Sequence, residues 1–278
     1  MVSVVIAAHN EEAVIGECID ALLGQSPQPE IIVSANGCTD RTVEVAVGRG
    51  VVVIDRNEAG KAGALNAGDQ VATSFPRIYL DADIVAPPGV VAALTRALES
   101  GALAAVPARR MATVGRPWPV RAYIAINTRL PAFREGLFGR GMIAVSRAGR
   151  ARFHDFPAVV ADDLYLDAQF GPDERTVLSD MAVVVEAPYT TRDLLARLAR
   201  VRRGNTQVRQ VGAGRGEVGV RESDRWSWLR DVVLTRPWLA PAAIPYVAIT
   251  LIAAIQARRA DTGWGTDAST RNSRAAAS

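Results

Sequence analysis

Along the first hundred residues, short apolar runs alternate with amphipathic stretches. VSVVIAA (2–8) is a continuous, largely β-branched run, as a strand covered on both faces requires. EEAVIGECIDALL (11–23) then sets Val14, Cys18, Ala21 and Leu22 on one helical stripe. EIIVS (30–34) predicts a second strand, and Thr39 or Asp40 is placed to cap a helix over RTVEVAV (41–47). VVVI (51–54), a helix from Lys61 to Ala72, and RIYL (77–80) continue the alternation. Such a series, with short connections, predicts right-handed βαβ units, hence an α/β fold with a mostly parallel sheet flanked by helices.

The pattern is mixed from about 100 to 210. Strands are expected at ALAAV (102–106) and MIAVS (142–146), and helices near 119–130, 161–170 and 191–203. The glycine-rich, charged stretch 212–224 reads as loop. After it, Trp238 to Ile255 is uncharged, predicting an apolar helical appendage, and the small polar residues from 260 on predict a disordered tail. The expected organisation is a catalytic domain over 1–210, a linker over 211–236, an apolar segment over 237–259 that meets a membrane or packs on protein, and a tail over 260–278.

Composition narrows this picture. A chain of 278 residues, 49% hydrophobic, fits one large α/β domain with an appendage. A net charge of +3 is too small to argue for nucleic acid. Cys18 and Cys38 form neither a metal-ligand spacing nor a disulfide framework, and the opening MVSVVIAAHNEE lacks the charged start of a signal peptide. A reducing cytoplasm is the expected compartment.

In a parallel sheet, ligands sit at the carboxyl ends of the strands. The polar residues there are HNE after the first strand, ANGCTD after the second and DAD after the fourth. In LDADI (80–84), Asp81 and Asp83 point the same way if the chain stays extended, and two carboxylates that close call for a cation or donors. Mg²⁺ or Mn²⁺ suits such oxygen ligands and commonly bridges phosphates; a solvated turn is the alternative. In ADDLYLD (161–167), Asp162 and Asp163 diverge by about 100° on a helix, so one of them aims at a site while the other favours the helix N-terminus. Asp167 falls in line behind Asp163. Arg197, Arg200 and Arg203 recur along one helix face and suit a diphosphate or a solvated surface. The Gly-x-Gly-x-x-Gly at 214–219 lacks a preceding strand and is set aside. No Gly-x-Ser-x-Gly elbow is present. Lys61 is the single lysine among 32 basic side chains, a compact point charge between Gly60 and Gly63.

Taken in order, SVVIAAHNEEAVIGECIDALL, IIVSANGCTDRT, GKAGALNAG, LDADI, GRGMIAVSRAG and ADDLYL resemble the motifs of the inverting family 2 glycosyltransferases, which have the Rossmann-like GT-A fold. The resemblance covers roughly residues 2–205. It implies a metal-dependent enzyme that moves a sugar from a nucleotide-diphospho-sugar to an acceptor hydroxyl with inversion. Ala8, His9, Asn10, Glu11 and Asn36 would line the base and ribose. Lys61, with Arg200 or Arg203, would meet the diphosphate, and Gly60 and Gly63 would let backbone approach it. Asp81 would bind ribose or sugar and share the metal, Mg²⁺ or Mn²⁺, with Asp83. Gly139, Gly141 and Asp162 would border the sugar and acceptor, and Asp163 would be the base. Ala35 and Asn36 stand where the family has an aspartate pair, the second touching uracil; an asparagine accepts and donates, so UDP is the expected nucleotide. Asp162 stands for the family's glutamate. RVRRG, with Gly204, stands where processive relatives carry Gln-x-x-Arg-Trp, so a non-processive enzyme is expected.

Two other classes share part of this pattern. Phosphatases of the haloacid dehalogenase type carry Asp-x-Asp at the first strand, which here ends in AAHNEE. A non-catalytic nucleotide-sugar-binding protein would share the fold. Pro237, Pro241 and Pro245 interrupt the apolar run and leave about ten clean helical residues, too few to cross a bilayer. With arginines on both sides and Trp226, Trp228, Trp238 and Tyr246 nearby, an interfacial segment on the cytoplasmic face, serving a lipid-linked acceptor of the cell envelope, is expected. A helix packed on protein is the alternative.

Overall fold

The computed structural model describes residues 1–159, 161–215 and 224–259. Its elements run β1 (Ser3–Ala8), α1 (Ile15–Leu23), β2 (Glu30–Asn36), α2 (Thr42–Val47), β3 (Val52–Arg56), α3 (Lys61–Val71), β4 (Arg77–Asp81), α4 (Val90–Glu99), β5 (Ala104–Ala112), α5 (Trp118–Asn127), α6 (Pro131–Glu135), β6 (Met142–Val145), α7 (Arg147–Arg150), α8 (Asp162–Asp167), β7 (Arg175–Glu186), α9 (Thr191–Arg215) and α10 (Ala240–Arg259). A π-helical turn at Trp228–Val233 and a 3₁₀ turn at Pro237–Leu239 precede α10. The chain forms two compact units, one of Met1–Arg110 with Leu137–Val184, the other of Met111–Gly136 with the chain from Val185 on. The boundary expected at 210 falls inside α9.

The first unit holds a seven-stranded sheet in the order β3-β2-β1-β4-β6-β5-β7. β1 to β4 are parallel, and β6 runs antiparallel to both β4 and β5. Val4, Val5 and Ile6 are fully buried, as strands under helices on both faces must be. On α1 the buried stripe is Ile15, Cys18, Ile19 and Leu22; the isoleucines, rather than Ala21, complete the i, i+3, i+4, i+7 face. From β1 the chain winds outward to β2 and β3, then crosses back to β4 on the other side of β1. That reversal opens a crevice at the carboxyl ends of β1 and β4.

α4 and β7 are additional to the elements that the sequence pattern predicts. β7 is one of the two edge strands, and the exposed Ser179 and Asp180 at its centre interrupt its apolar signal. α9 continues to Arg215, past the loop expected from 212, since each added helical residue gains a backbone bond. The rest of that loop, the tail and most of the Gly-x-Gly-x-x-Gly lie outside the described residues.

In the second unit, α10 passes through Pro245 and is 20 residues long, which corrects the ten-residue helix read from the prolines. Pro241 sits in the first turn, where no N–H is needed, and Pro245 deletes one ladder bond. Packing outweighs that loss. Tyr246 stacks on Tyr123 of α5 at 5.0 Å, inside a core with Val120, Ile126, Leu194 and Val232.

Candidate functional site

The loops after β1 and β2 are laced together. His9 Nδ1 lies 2.5 Å from the Asn36 carbonyl oxygen. Asn10 adopts φ 55, a left-handed conformation asparagine tolerates, and its Oδ1 accepts the Thr39 N–H at 2.8 Å. Glu11 N–H donates to Thr42 Oγ1 at 2.7 Å. Asp40 accepts the N–H groups of Glu12 and Thr42, so Asp40 rather than Thr39 serves the start of α2. This lacing leaves His9, Asn10 and Glu11 half-exposed at the crevice mouth. Asn36 differs from its expected place against a base. It is buried, its Nδ2 donates to the Ala8 carbonyl at 2.6 Å, and its Oδ1 accepts the Gly60 N–H at 2.9 Å. The amide bridges β1 to the start of α3, a bond made possible by the φ of 148 at Gly60, which no side chain but glycine's absence of one allows.

Lys61 opens α3. Its ammonium lies 2.6 Å from Asp81 Oδ1 and 3.0 Å from Asp162 Oδ2. Burial favours the neutral amine, yet Asp162 and Asp81 outweigh it and raise the Lys61 pKa well above its ordinary value. Burial likewise pushes the Asp162 carboxyl up, to about 6; Lys61 opposes this, while Asp163 and Asp81 add to it. Gly63 faces the Arg56 guanidinium, 2.6 Å from where a Cβ would stand, and not an open crevice.

Asp163 is held by backbone. Its Oδ2 accepts the Gly139 N–H at 2.7 Å and its Oδ1 the Leu164 N–H at 2.8 Å. An ionised carboxylate offers about four lone-pair sites, so two remain for a substrate hydroxyl. The sequence reading allowed one of Asp162 and Asp163 to aim at the site. At the first turn of α8 both meet site residues, through different neighbours. Asp167 stays out of it, buried in an ion pair with Arg175 at 2.6 Å and accepting the Leu137 N–H at 2.7 Å.

Gly141, at φ 67, passes its carbonyl to the Asp81 N–H at 2.8 Å, and a Cβ there would stand 3.0 Å from Asp81 Oδ2. Asp83 follows on the same turn and is exposed. Among the described residues no group of three or more His, Cys, Asp or Glu side chains is placed to hold a metal. Asp81 and Asp83 alone fit the other way Mg²⁺ is held, by one or two carboxylates plus substrate phosphates. Arg200 and Arg203 stand on α9, in the second unit.

Three positioning residues escaped the sequence reading. Asn66, within GKAGALNAG, holds the Phe156 N–H and carbonyl at 2.8 and 3.1 Å, steadying the segment that leads to α8. Arg109 donates to the Gly139 carbonyl at 3.0 Å. The buried Cys18 thiol donates to the Asp81 carbonyl at 3.8 Å, and burial pushes its pKa up, so it props β4 as a thiol. Asn66 was visible inside its motif; Arg109 and Cys18 carry no local signal.

The model of the Glycosyl transferase family 2 matches residues 3–153. No curated protein sequence matches the chain. Among solved structures, a mannosyltransferase from Pyrobaculum calidifontis in complex with GDP-Man and Mn²⁺ is 22% identical with a TM-score of 0.61, over 99% of this chain and 79% of that one. Glucosyl-3-phosphoglycerate synthase from Mycobacterium tuberculosis in complex with phosphoglyceric acid is 22% identical with a TM-score of 0.55, over 80% and 81%. The same synthase in complex with Mn²⁺, UDP and phosphoglyceric acid is 21% identical with a TM-score of 0.54, over 80% of each chain. These likenesses establish the GT-A fold.

Proposed function

Because the chain belongs to Glycosyl transferase family 2 and is a glycosyltransferase, we propose that it moves a sugar from a nucleotide-diphospho-sugar to an acceptor hydroxyl with inversion at the anomeric carbon; with Asn36 turned to backbone, the expectation of UDP no longer rests on that residue. The observation that carries this is the gathering of Lys61, Asp81, Asp162 and Asp163 at the carboxyl end of β4. His9, Asn10 and Glu11 would border base and ribose, with Asn36 fixing their loop from below. The solved relatives in complex with GDP-Man and Mn²⁺ or with Mn²⁺ and UDP support a nucleotide-sugar donor and a divalent ion.

Asp163 takes the proton as the acceptor oxygen attacks the anomeric carbon and the bond to the diphosphate breaks on the opposite side. Asp162 holds Lys61, and Lys61 places positive charge beside Asp81, where the leaving diphosphate would gather negative charge. A Mg²⁺ or Mn²⁺ held by Asp83 and Asp81 would supply further charge for that leaving group. Gly139 and Gly141 would border sugar and acceptor, the acceptor being lipid-linked and the enzyme working non-processively at the cytoplasmic face of a membrane.

The test is a thermal-shift panel of UDP-, GDP- and dTDP-sugars with and without Mn²⁺, followed by nucleotide release with acceptors. A metal-dependent shift with one nucleotide, plus release, supports transfer. Binding with no transfer to any acceptor favours a nucleotide-sugar sensor of the same fold.

A further inference from the structure

Helix α10 has two apolar faces. Ala242, Tyr246, Ile249 and Ala253 are buried, and the helix packs on α5 and α9. On the opposite side Ile244, Leu251, Ile252 and Ile255 are 77%, 58%, 43% and 49% exposed, and Trp238, just before the helix, is 71% exposed. At about 100° per residue these four helical side chains share an arc of about 100°. Single exposed hydrophobic residues are ordinary on a soluble surface, but a continuous stripe marks an interaction surface.

We infer that this stripe docks on an anionic lipid surface with α10 lying in the plane of the headgroups. The inference rests on the glycosyl-transfer reading with a membrane-borne acceptor and assigns it a surface. Charge selects the occupant. Asp224 and Asp231, the acidic residues of 224–259, both pair with Arg230. Arg225, Arg236, Arg258 and Arg259 therefore leave the segment net positive. Arg258 lies three residues past Ile255, on the stripe's own side, while Trp238 closes its other end. An amphipathic tryptophan and a long arginine stem both suit the headgroup layer, and anionic lipid attracts the charge. A second copy on this face would bring like charges together.

Orientation follows from the buried face. The span Pro237–Arg258 is long enough to cross a bilayer, and its most apolar 18-residue window has a mean hydropathy of 1.9, yet 28% of that window is buried in the protein. α9, against which α10 packs, carries Arg197, Arg200, Arg202 and Arg203. Crossing would strip that packing or pull those charges into hydrocarbon. Lying flat keeps the packing and buries only the exposed stripe.

The test is flotation of the full-length protein with phosphatidylcholine vesicles, with and without phosphatidylglycerol. The expected result is flotation with the anionic vesicles, release at molar salt, and about fivefold weaker partition for each arginine removed in Arg236→Gln and Arg258→Gln. The double variant Ile244→Ser/Leu251→Ser should stay in the dense fraction while keeping its donor thermal shift. Wild-type protein that stays dense, or a double variant that floats like wild type, overturns the inference. So does a dimer in sedimentation velocity that the double variant dissolves, which would make a second copy the occupant. Failure of the wild type to bind any nucleotide sugar would strike the glycosyl-transfer reading instead and leave flotation untouched.

Discussion

Lys61 and Asp162, far apart in the chain, form an ion pair 3.0 Å long beside the end of β4, and the same ammonium reaches Asp81 at 2.6 Å. One compact cation serves two carboxylates. Lysine places three rotatable donors on a thin stem, whereas a guanidinium is a planar fork that holds one carboxylate squarely. In a chain that otherwise uses only arginine, that geometry accounts for the single lysine.

Lys61→Arg should therefore keep the charge and still raise the donor's KM, because the larger head cannot hold both Asp81 and Asp162 at these distances. Lys61→Met should lower stability by about 1–3 kcal/mol, since it leaves the largely buried Asp162 without its cation. Steady-state kinetics and urea unfolding read the two effects. Unchanged KM in Lys61→Arg would mean that the shape of the head is irrelevant.

The Asp167–Arg175 pair makes a separate prediction. Both side chains are at most 5% exposed and lie 2.6 Å apart. Removing one partner of a buried pair costs about 3–5 kcal/mol, because the other charge stays buried. Arg175→Leu should lose about that much in chemical denaturation. Since Asp167 ends the helix that begins with Asp162 and Asp163, activity should fall even where the protein remains folded.

The central sheet could be read from sequence because β1, β2 and β4 are covered on both faces, so burial is written as unbroken apolar runs. β7 could not, because the exposed Ser179 and Asp180 at its centre break the apolar run, whereas the other edge strand, β3, keeps its run at VVVI. The prolines of α10 misled for a different reason: local propensity predicts a break, and the Tyr123–Tyr246 packing overrides it. In the site, the motifs located Lys61, Asp81, Asp162 and Asp163, but residue type could not say which way a side chain turns. Asn36 turns inward to the backbone of Ala8 and Gly60, and Asp162 turns to Lys61.

Acid should loosen the loops that frame the crevice. Partial burial opposes charge on Asp40, but hydrogen bonds from Thr42 and the Glu12 N–H outweigh it and hold the carboxyl below its ordinary 3.8. A lowered folded-state pKa means stability that is present above the unfolded value and lost as pH falls through the folded one. Unfolding midpoints followed from pH 6 downward should drop below about pH 4. Asp40→Asn should flatten part of that drop while lowering stability at pH 6.

Metal removal is the next test. If Asp83 and Asp81 hold an ion together with a diphosphate, excess chelator should abolish transfer, and Mn²⁺ or Mg²⁺ should restore it. Asp83→Ala should weaken donor binding and make the residual rate insensitive to chelator. Full activity in chelator would rule the ion out.

The two neighbouring aspartates of α8 should separate in kinetics. Asp163 has its carboxylate oriented by the Gly139 and Leu164 N–H groups and lone pairs to spare, whereas Asp162 is tied to Lys61. Asp163→Asn keeps the shape but cannot take the acceptor's proton, so kcat should fall about 10²–10⁴-fold with donor affinity nearly intact. Asp162→Asn removes one of the two carboxylates paired with Lys61 and should act mainly on donor KM. The measurements are kcat and KM for each variant, with donor affinity by calorimetry. If Asp162→Asn loses kcat while Asp163→Asn retains most of its rate, the base is Asp162, and Lys61 sits beside it to tune it.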